Sequence, residues 1–304
     1  MLKRTIVLLG FLFLINPFTQ LKAGSPETTG LAFLKVGAGA RGVGMGEAYS
    51  AVVTDASATY WNPAGLAAQE KSEFVFTHNK WLQEINNEFA AVSFHIKSHA
   101  FGISVMTQNI GGIERRTGPT EEPLGEFNAH NVMAGISYAR YLAHNFAVGI
   151  TAKFLYEKIY VEESAGAAVD IGVRYQTVVP GLTAGFALQN FGFVSELENE
   201  SSKLPRMVRV GAAYLLPREV LQGKLIVATD VVQVFEGTSH VNLGAEYLLK
   251  NMFAFRIGYQ TGYDDKDIHT GVGFYFSRYR LNYAFVPFSS DLGNSHRISV
   301  VIQL

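Results

Sequence analysis

The chain contains no cysteine among its 304 residues, which excludes disulfides, thiol nucleophiles and cysteine-based metal sites. It also lacks an excess of charge of either sign, with 25 Lys and Arg against 26 Asp and Glu and a formal net charge of -1. That balance gives no electrostatic case for nucleic acid as a partner. Beyond the N-terminal leader no run reaches about 18 apolar residues, so no helical membrane span is expected. The nucleophile elbow G-x-S-x-G is missing. The eight histidines, His78, His95, His99, His130, His144, His240, His269 and His296, show no metal-ligand spacing. No catalytic group, metal or cofactor is expected.

What is present points to strands. The chain has 30 Gly, 22 Phe and 14 Tyr, a composition suited to strands, tight bends and aromatic belts. At the N-terminus, Lys3 and Arg4 precede an apolar run over residues 6–15 and a more polar stretch ending at Ala23, the layout of a signal peptide. The apolar run is too short for a helical span, which needs about 20 residues. Cleavage near Ala23 is expected, and with no cysteine there the product is not a lipoprotein. An exported chain this apolar is either a secreted all-β protein or a membrane barrel.

Residues 36–68 form a glycine-rich stretch, with Gly37, Gly39, Gly42, Gly44 and Gly46 close together and Asn62-Pro63-Ala64-Gly65 further on. Glycine accepts backbone angles closed to other residues and leaves no side chain to clash, so this stretch suits a confined space but not a core of its own. Gly37, Gly39 and Gly42 match G-x-G-x-x-G, the dinucleotide pattern. That pattern needs a preceding strand and a following amphipathic helix, and the sequence supplies no helix-period segment downstream. A local structural reading fits better. Asp55 is placed to cap a helical turn over residues 56–60, and Asn62 to cap another with Pro63 at its first position.

From Ser72 onward the pattern is alternation, the period of a strand with two unlike faces. Val241, Leu243, Ala245 and Tyr247 oppose His240, Asn242, Gly244 and Glu246; Phe253, Phe255, Ile257 and Tyr259 oppose Ala254, Arg256, Gly258 and Gln260. Alternation does not say whether the apolar face meets a core or lipid. Strand length and loop order do bear on this. Fourteen segments are predicted, at 72–78, 87–97, 99–109, 128–141, 146–159, 165–177, 181–190, 206–216, 223–234, 239–249, 252–261, 267–277, 279–286 and 295–303. Most reach the roughly 9 to 11 residues of a tilted membrane strand. Links after odd-numbered segments are longer or more polar, at 79–86, 110–127, 160–164, 191–205, 235–238, 262–266 and 287–294. Links after even-numbered segments are mostly tight turns, with 217–222 the long exception. Long extracellular loops and short periplasmic turns give this order, with both termini in the periplasm.

The remaining charged features have modest readings. Asp264, Asp265, Lys266 and Asp267 lack the D-x-D-x-D-G order of a calcium loop and read as a solvated acidic turn. Arg115, Arg116, Glu121 and Glu122, with the run 196–203, read as exposed loops facing solvent, lipopolysaccharide phosphates or a docking partner. Lumen-side Asp170, Arg174, Arg209, Glu246 and Arg256 read as a hydrated ion-pair network, because barrel interiors are polar.

The segment GARGVGMGEAYSAVVTDASATYWNPAGLA (39–67) resembles the N-terminal signature of the PorV/PorQ family of bacterial outer-membrane proteins, which is related to FadL-like channels. The resemblance continues in DIGVRY (170–175), ALQNFG (187–192), LPRMVRVGAAY (204–214), VNLGAEY (241–247), YAFVPF (283–288) and DLGNSHRIS (291–299). It implies an all-β, transmembrane, antiparallel up-and-down barrel of about 14 strands in the outer membrane, with an N-terminal plug in the lumen. The division implied is a signal peptide at 1–23, a plug segment at 24–70 and a barrel at 71–304. The plug motif would comprise Gly42, Gly44, Met45, Gly46, Asp55, Asn62, Pro63, Ala64 and Gly65. PorV-like members carry type IX secretion cargo, binding its C-terminal domain outside the cell and passing it to a sortase. By resemblance the loops 110–127, 191–205 and 287–294 would form that surface. FadL-like relatives instead admit hydrophobic small molecules past the plug. Expected partners are thus membrane lipid and lipopolysaccharide, and either secreted cargo and sortase or a hydrophobic ligand.

Overall fold

The computed structural model describes residues 29–82, 85–119, 122–197, 202–235, 237–263, 266–289 and 293–304. The expected signal peptide lies outside the described residues, as do Glu121, Asp264, Asp265 and part of the run 196–203. Fourteen strands follow one another: β1 (Glu73–Lys80), β2 (Ile85–Ile96), β3 (His99–Arg115), β4 (Gly125–Ala143), β5 (Phe146–Ile159), β6 (Glu162–Gln176) and β7 (Leu182–Val194). The second half comprises β8 (Met207–Leu215), β9 (Gly223–Val234), β10 (Ser239–Leu249), β11 (Phe253–Gln260), β12 (Ile268–Phe276), β13 (Tyr279–Pro287) and β14 (Asn294–Gln303). Each pairs antiparallel with its sequence neighbour. β1 pairs with β14, Val75 opposite Val301, and the barrel is closed. Closure leaves no strand edge with unpaired backbone groups.

The faces resolve what alternation leaves open. On β11 the apolar Phe253, Phe255, Ile257 and Tyr259 are exposed, while Ala254, Arg256, Gly258 and Gln260 are buried. A soluble sandwich would bury the first set. Here a band of apolar side chains, including Ile136, Phe154 and Ile171, covers the outside of the wall, as a lipid-facing surface requires.

Several expected links are shorter or more ordered in the structure, and three have a clear local cause. The expected loop 110–127 is mostly strand, because Gly111 and Gly112 form a β-bulge rather than a break. Pairing of β3 with β4 shifts between Ile110 and Ile113 and then continues to Arg115 opposite Gly125. A bulge of this kind bends a strand without ending its ladder, and Gly112 supplies the left-handed backbone at φ 65. The expected link 160–164 contracts to Tyr160 and Val161, with Glu163 paired to Lys158 at 2.6 Å across the hairpin. The long link 217–222 is a small hairpin in its own right. Leu221 and Gln222 both have positive φ between the bridged Val220 and Gly223, as a two-residue turn of the primed type needs.

Residues 29–69 run inside the barrel. They contain two short helices, α1 (Ala40–Gly44) and α2 (Ala58–Trp61), and 3-10 turns at Ala32–Lys35 and Pro63–Ala68. Their side chains supply most of the protein's buried apolar cluster: Phe33, Leu34, Tyr49, Tyr60, Trp61 and Leu66 are each 2% exposed or less. Trp61 stands edge-on to both Tyr49 and Tyr60 and donates its indole N–H to Ala38 O at 2.7 Å. The expectation that this stretch cannot build a core therefore needs correction. Its glycines permit close folding, and its three clustered aromatic rings, with Phe33, Leu34 and Leu66, provide the apolar area.

Candidate functional site

The inner segment is held by the wall from many sides. Ala40 N–H donates to Ser299 Oγ of β14 at 2.7 Å, and His269 of β12 bonds Val43 O at 3.0 Å. Asp230 of β9 accepts the N–H groups of Tyr49 and Ser50 at 3.3 and 3.0 Å. Gln189 of β7 donates to Tyr60 O at 2.5 Å, and Arg297 of β14 donates to Gly37 O at 2.5 Å. The strongest tie is ionic. Arg41 makes a bidentate pair with Glu246 of β10 at 2.9 and 2.7 Å, and Glu246 also accepts from Arg256 of β11 at 2.6 Å. Asp55 lies 3.8 Å from the far side of Arg41, and Arg256 continues the chain to Tyr275 at 2.8 Å.

Backbone contact at the wall demands missing side chains. Gly149 lies opposite Gly172, Gly185 opposite Gly211, and Gly244 opposite Gly258, all facing inward. A Cβ on Gly185 would stand 2.7 Å from the backbone of Ser50 and Ala51. One on Gly149 or Gly172 would collide with Pro63 and Ala64, and one on Gly244 or Gly258 with Met45 and Gly46. The inward glycines of the wall are the imprint of the segment they hold.

The residues of the expected plug motif fall along this contact. Gly42 lies under the rings of Tyr49 and Trp61, where a Cβ would come within 2.9 and 3.1 Å. Gly44 rests on Gly271, and Gly46, at φ 62, lies against the backbone of Leu243 and Tyr259. Met45 is fully buried between them. Asp55 accepts from the N–H of Ser57 at 2.9 Å and from its hydroxyl, ahead of α2. Asn62 accepts from Ala64 N–H at 3.2 Å, capping the turn that Pro63 begins, and its amide donates to Ser50 O at 2.9 Å and to Val173 O of β6 at 3.0 Å. Gly65 packs on Val53 O.

The segment separates two cavities. An outer one of about 280 Å³ lies where odd strands end and even strands begin, lined by Lys35, Val43 and Glu47 from the segment and by Arg209, His269 and Arg297 from the wall. An inner one of about 510 Å³ lies at the opposite rim, between Arg41, Ala51 and Val52 of the segment and Arg174, Leu182 and Ala213 of the wall. Residues 41–52 thus border both.

Of the five lumen residues singled out in the sequence, Glu246 and Arg256 join the tie to Arg41. Arg209 stacks on Trp61 at 5.0 Å and reaches Glu47 at 3.6 Å. Asp170 pairs instead with Lys153 at 2.6 Å beside the bulge at Asn190, and Arg174 faces the inner cavity. Lys266, expected in a solvated acidic turn, reaches into the outer cavity, 3.9 Å from Glu47 and 4.3 Å from the ring of Tyr263. Burial pushes its ammonium below the ordinary lysine range, against the pull of Glu47. Burial, then repulsion from Lys266, also lowers Lys35. Sequence reading missed Arg41, Glu47 and Asp230, whose partners lie far off in the chain, 205 residues away for Arg41. Among the described residues no group of three or more His, Cys, Asp or Glu is placed to hold a metal.

A family model described as "Type IX secretion system protein PorV" matches residues 22–216. No curated protein matches the chain by sequence. Several solved structures share the fold. The CymD monoaromatic hydrocarbon channel is 14% identical, with a TM-score of 0.65 over 88% of this chain and 98% of that one. The Pseudomonas putida toluene transporter TodX is 12% identical, with a TM-score of 0.59 over 88% and 97%. A Pseudomonas aeruginosa FadL homologue is 10% identical, with a TM-score of 0.52 over 92% and 99%. At these identities the likeness is one of fold.

Proposed function

The chain belongs to the PorV family of type IX secretion system proteins, and on that premise we propose that this outer-membrane barrel is a carrier that binds secreted cargo at its extracellular face. In this reading the cargo's C-terminal domain docks on the outer loops and is passed on to a sortase. The observation that carries the proposal is the filled lumen. Residues 29–69 are bonded to strands around the wall and lie between a cavity at one rim and a cavity at the other. A carrier needs no path through the barrel, and the ion pair between Arg41 and Glu246 favours a plug that stays docked. The segment 24–70 is accordingly proposed to act as a fixed plug, with Asn62 and Pro63 anchoring it. The docking surface is proposed at 116–124, 195–206 and 288–293, shorter than the loops expected from sequence because β3, β4, β7, β13 and β14 extend further.

A second reading, passage of hydrophobic small molecules, draws on the fold shared with CymD and TodX, both described as channels or transporters for aromatic hydrocarbons. Against it stands the outer cavity, whose described lining carries four cations, Lys35, Arg209, Lys266 and Arg297.

A lock separates the two. The chain has no cysteine, so Ala40→Cys with Ser299→Cys introduces one pair, at a contact where backbone N and hydroxyl lie 2.7 Å apart. Barrels isolated from native outer membranes in mild detergent, oxidised or reduced, are tested for co-purifying secreted proteins by mass spectrometry and for hydrocarbon uptake in vesicles. Retention of secreted proteins that share a C-terminal domain, unaffected by the lock, is the expected result. Uptake that vanishes on oxidation, with no such proteins retained, would overturn the carrier reading.

A further inference from the structure

The rim of short turns carries a ring of cations that the fold itself does not use. Lys71 precedes β1, Lys97 lies in the turn from β2 to β3, Arg140 near the end of β4, Arg218 in the turn from β8 to β9, Lys250 in that from β10 to β11, and Arg278 in that from β12 to β13. All six are exposed, and none forms a salt bridge among the described residues. Lys71 meets only the amide of Gln303 at 3.4 Å, and Arg278 the ring of Tyr279 at 5.4 Å. The exposed carboxylate side chains of this rim are Glu70 and Glu219, so even with a terminal carboxylate at Leu304 the six cations outnumber the anions. Glu73, just inside, is taken by Arg280 at 2.9 Å. Every link of this rim, at 69–72, 97–98, 144–145, 177–181, 216–222, 250–252 and 277–278, belongs to the described residues. At the opposite rim exposed cations meet carboxylates, Lys158 with Glu163 at 2.6 Å and Arg116 with Glu114 at 2.9 Å.

The surroundings of the six cations say what they face. Exposed apolar side chains adjoin them: Ile96 before Lys97, Leu142 after Arg140, Leu221 after Arg218, Met252 after Lys250 and Phe276 before Arg278. These groups mark the edge of the lipid-facing band, where long basic side chains lay their stems on apolar surface and their charges among headgroups. Lys97 and Lys250 have φ of 57 and 51, the left-handed region in which glycine and asparagine are at ease. A charge is kept there in place of an easier turn residue. The cations are also spread around the closed barrel, on or beside all its short turns but the one from β6 to β7. A membrane surface meets such a ring on every side, whereas a single docked protein would meet one arc of it.

We infer that the periplasmic rim collects anionic phospholipid headgroups, of the phosphatidylglycerol class, from the inner leaflet of the outer membrane, with their phosphates at the six cations and their acyl chains against the adjoining apolar residues. Each Lys or Arg beside an anionic lipid surface adds to the attraction, and salt weakens it. The inference needs the short turns to lie in the periplasm, and it does not depend on the carrier reading.

The purified full barrel in detergent is titrated with phosphatidylglycerol and, separately, with phosphatidylethanolamine of the same acyl chains, and bound lipids are counted by native mass spectrometry. Phosphatidylglycerol is expected to bind at least about fivefold more tightly. A variant combining Lys97→Asn and Lys250→Asn with Lys71→Gln, Arg140→Gln, Arg218→Gln and Arg278→Gln should bring that preference below about twofold. All six side chains are exposed and asparagine suits the left-handed turns, so the barrel stays intact, which heat-shifted migration on a gel checks. Lys80→Gln with Lys158→Gln, at the opposite rim, should leave the preference unchanged. Equal binding of the two lipids by the parent, or a preference that survives the six replacements, overturns the inference. Loss of the preference in the Lys80 and Lys158 variant would move the site to the other rim and overturn it as well. Displacement of phosphatidylglycerol by inorganic phosphate at equal concentration would assign the cations to free anions and overturn the lipid source. Co-purification of secreted proteins is untouched by any of these results, so the carrier reading stands or falls separately.

Discussion

Replacing Glu246 is the sharpest test of how the inner segment is held. Its carboxylate is 2% exposed and faces two arginines, Arg41 from the segment at 2.7 and 2.9 Å and Arg256 from the wall at 2.6 Å. Glu246→Ala leaves two guanidinium groups buried without their anion. Breaking a buried pair by removing one partner costs about 3–5 kcal/mol. Arg41→Ala should cost less, because Glu246 keeps Arg256. Glu246→Gln should fall between, since an amide oxygen still accepts a hydrogen bond. The loss falls on docking of the segment rather than on the wall, whose ladders on both sides of β10 are unbroken. At about 1.4 kcal/mol per factor of ten, the undocked population should rise about 100- to 4000-fold in Glu246→Ala. A reporter cysteine at Ala40, fully buried in the parent, makes this measurable as the rate of labelling by a membrane-impermeant maleimide. The expected order of rates is Glu246→Ala, then Glu246→Gln, then Arg41→Ala, then parent. If Glu246→Ala labels within twofold of the parent, the ionic tie does not hold the segment.

Three further outcomes follow from the same geometry. Gly258→Ala places a methyl group on the backbone of Met45 and Gly46, so it should raise labelling at Ala40 as well, whereas Gly118→Ala, with nothing within 4 Å, should leave it unchanged. Asn62→Ala removes a cap and two bonds to buried carbonyls, and should lower resistance to urea by about 2–3 kcal/mol in unfolding followed by tryptophan fluorescence. Ile257→Arg puts a charge on the outward face at mid-strand, and should reduce folding into lipid vesicles by about 2–4 kcal/mol; unchanged insertion would contradict the assignment of that face to lipid.

The strands and their order were legible in the sequence because alternation with period two survives wherever one face meets an apolar phase. β5, β9 and β10 end where the pattern predicts, and Asn62 with Pro63 announces its own cap. The errors cluster at hairpin ends. Gly111 and Gly112 look like a loop and form a bulge, and Tyr160 takes a left-handed conformation that its residue type does not advertise. The inward glycines were legible as small residues, but their purpose depends on the segment packed against them.

What the sequence by itself determined is local: the period of each strand, the turn chemistry, the clustered glycines and the absence of any helical span. Tertiary structure decided which face meets lipid, since a period fixes two faces without naming their surroundings. It also decided that Arg41 meets Glu246, that Arg209 and Arg297 share a cavity with Lys266, and that Gly244 and Gly258 stand together at Met45. These groups are far apart in the chain. Only closing the barrel at β1 and β14 and setting the register of each ladder places them side by side.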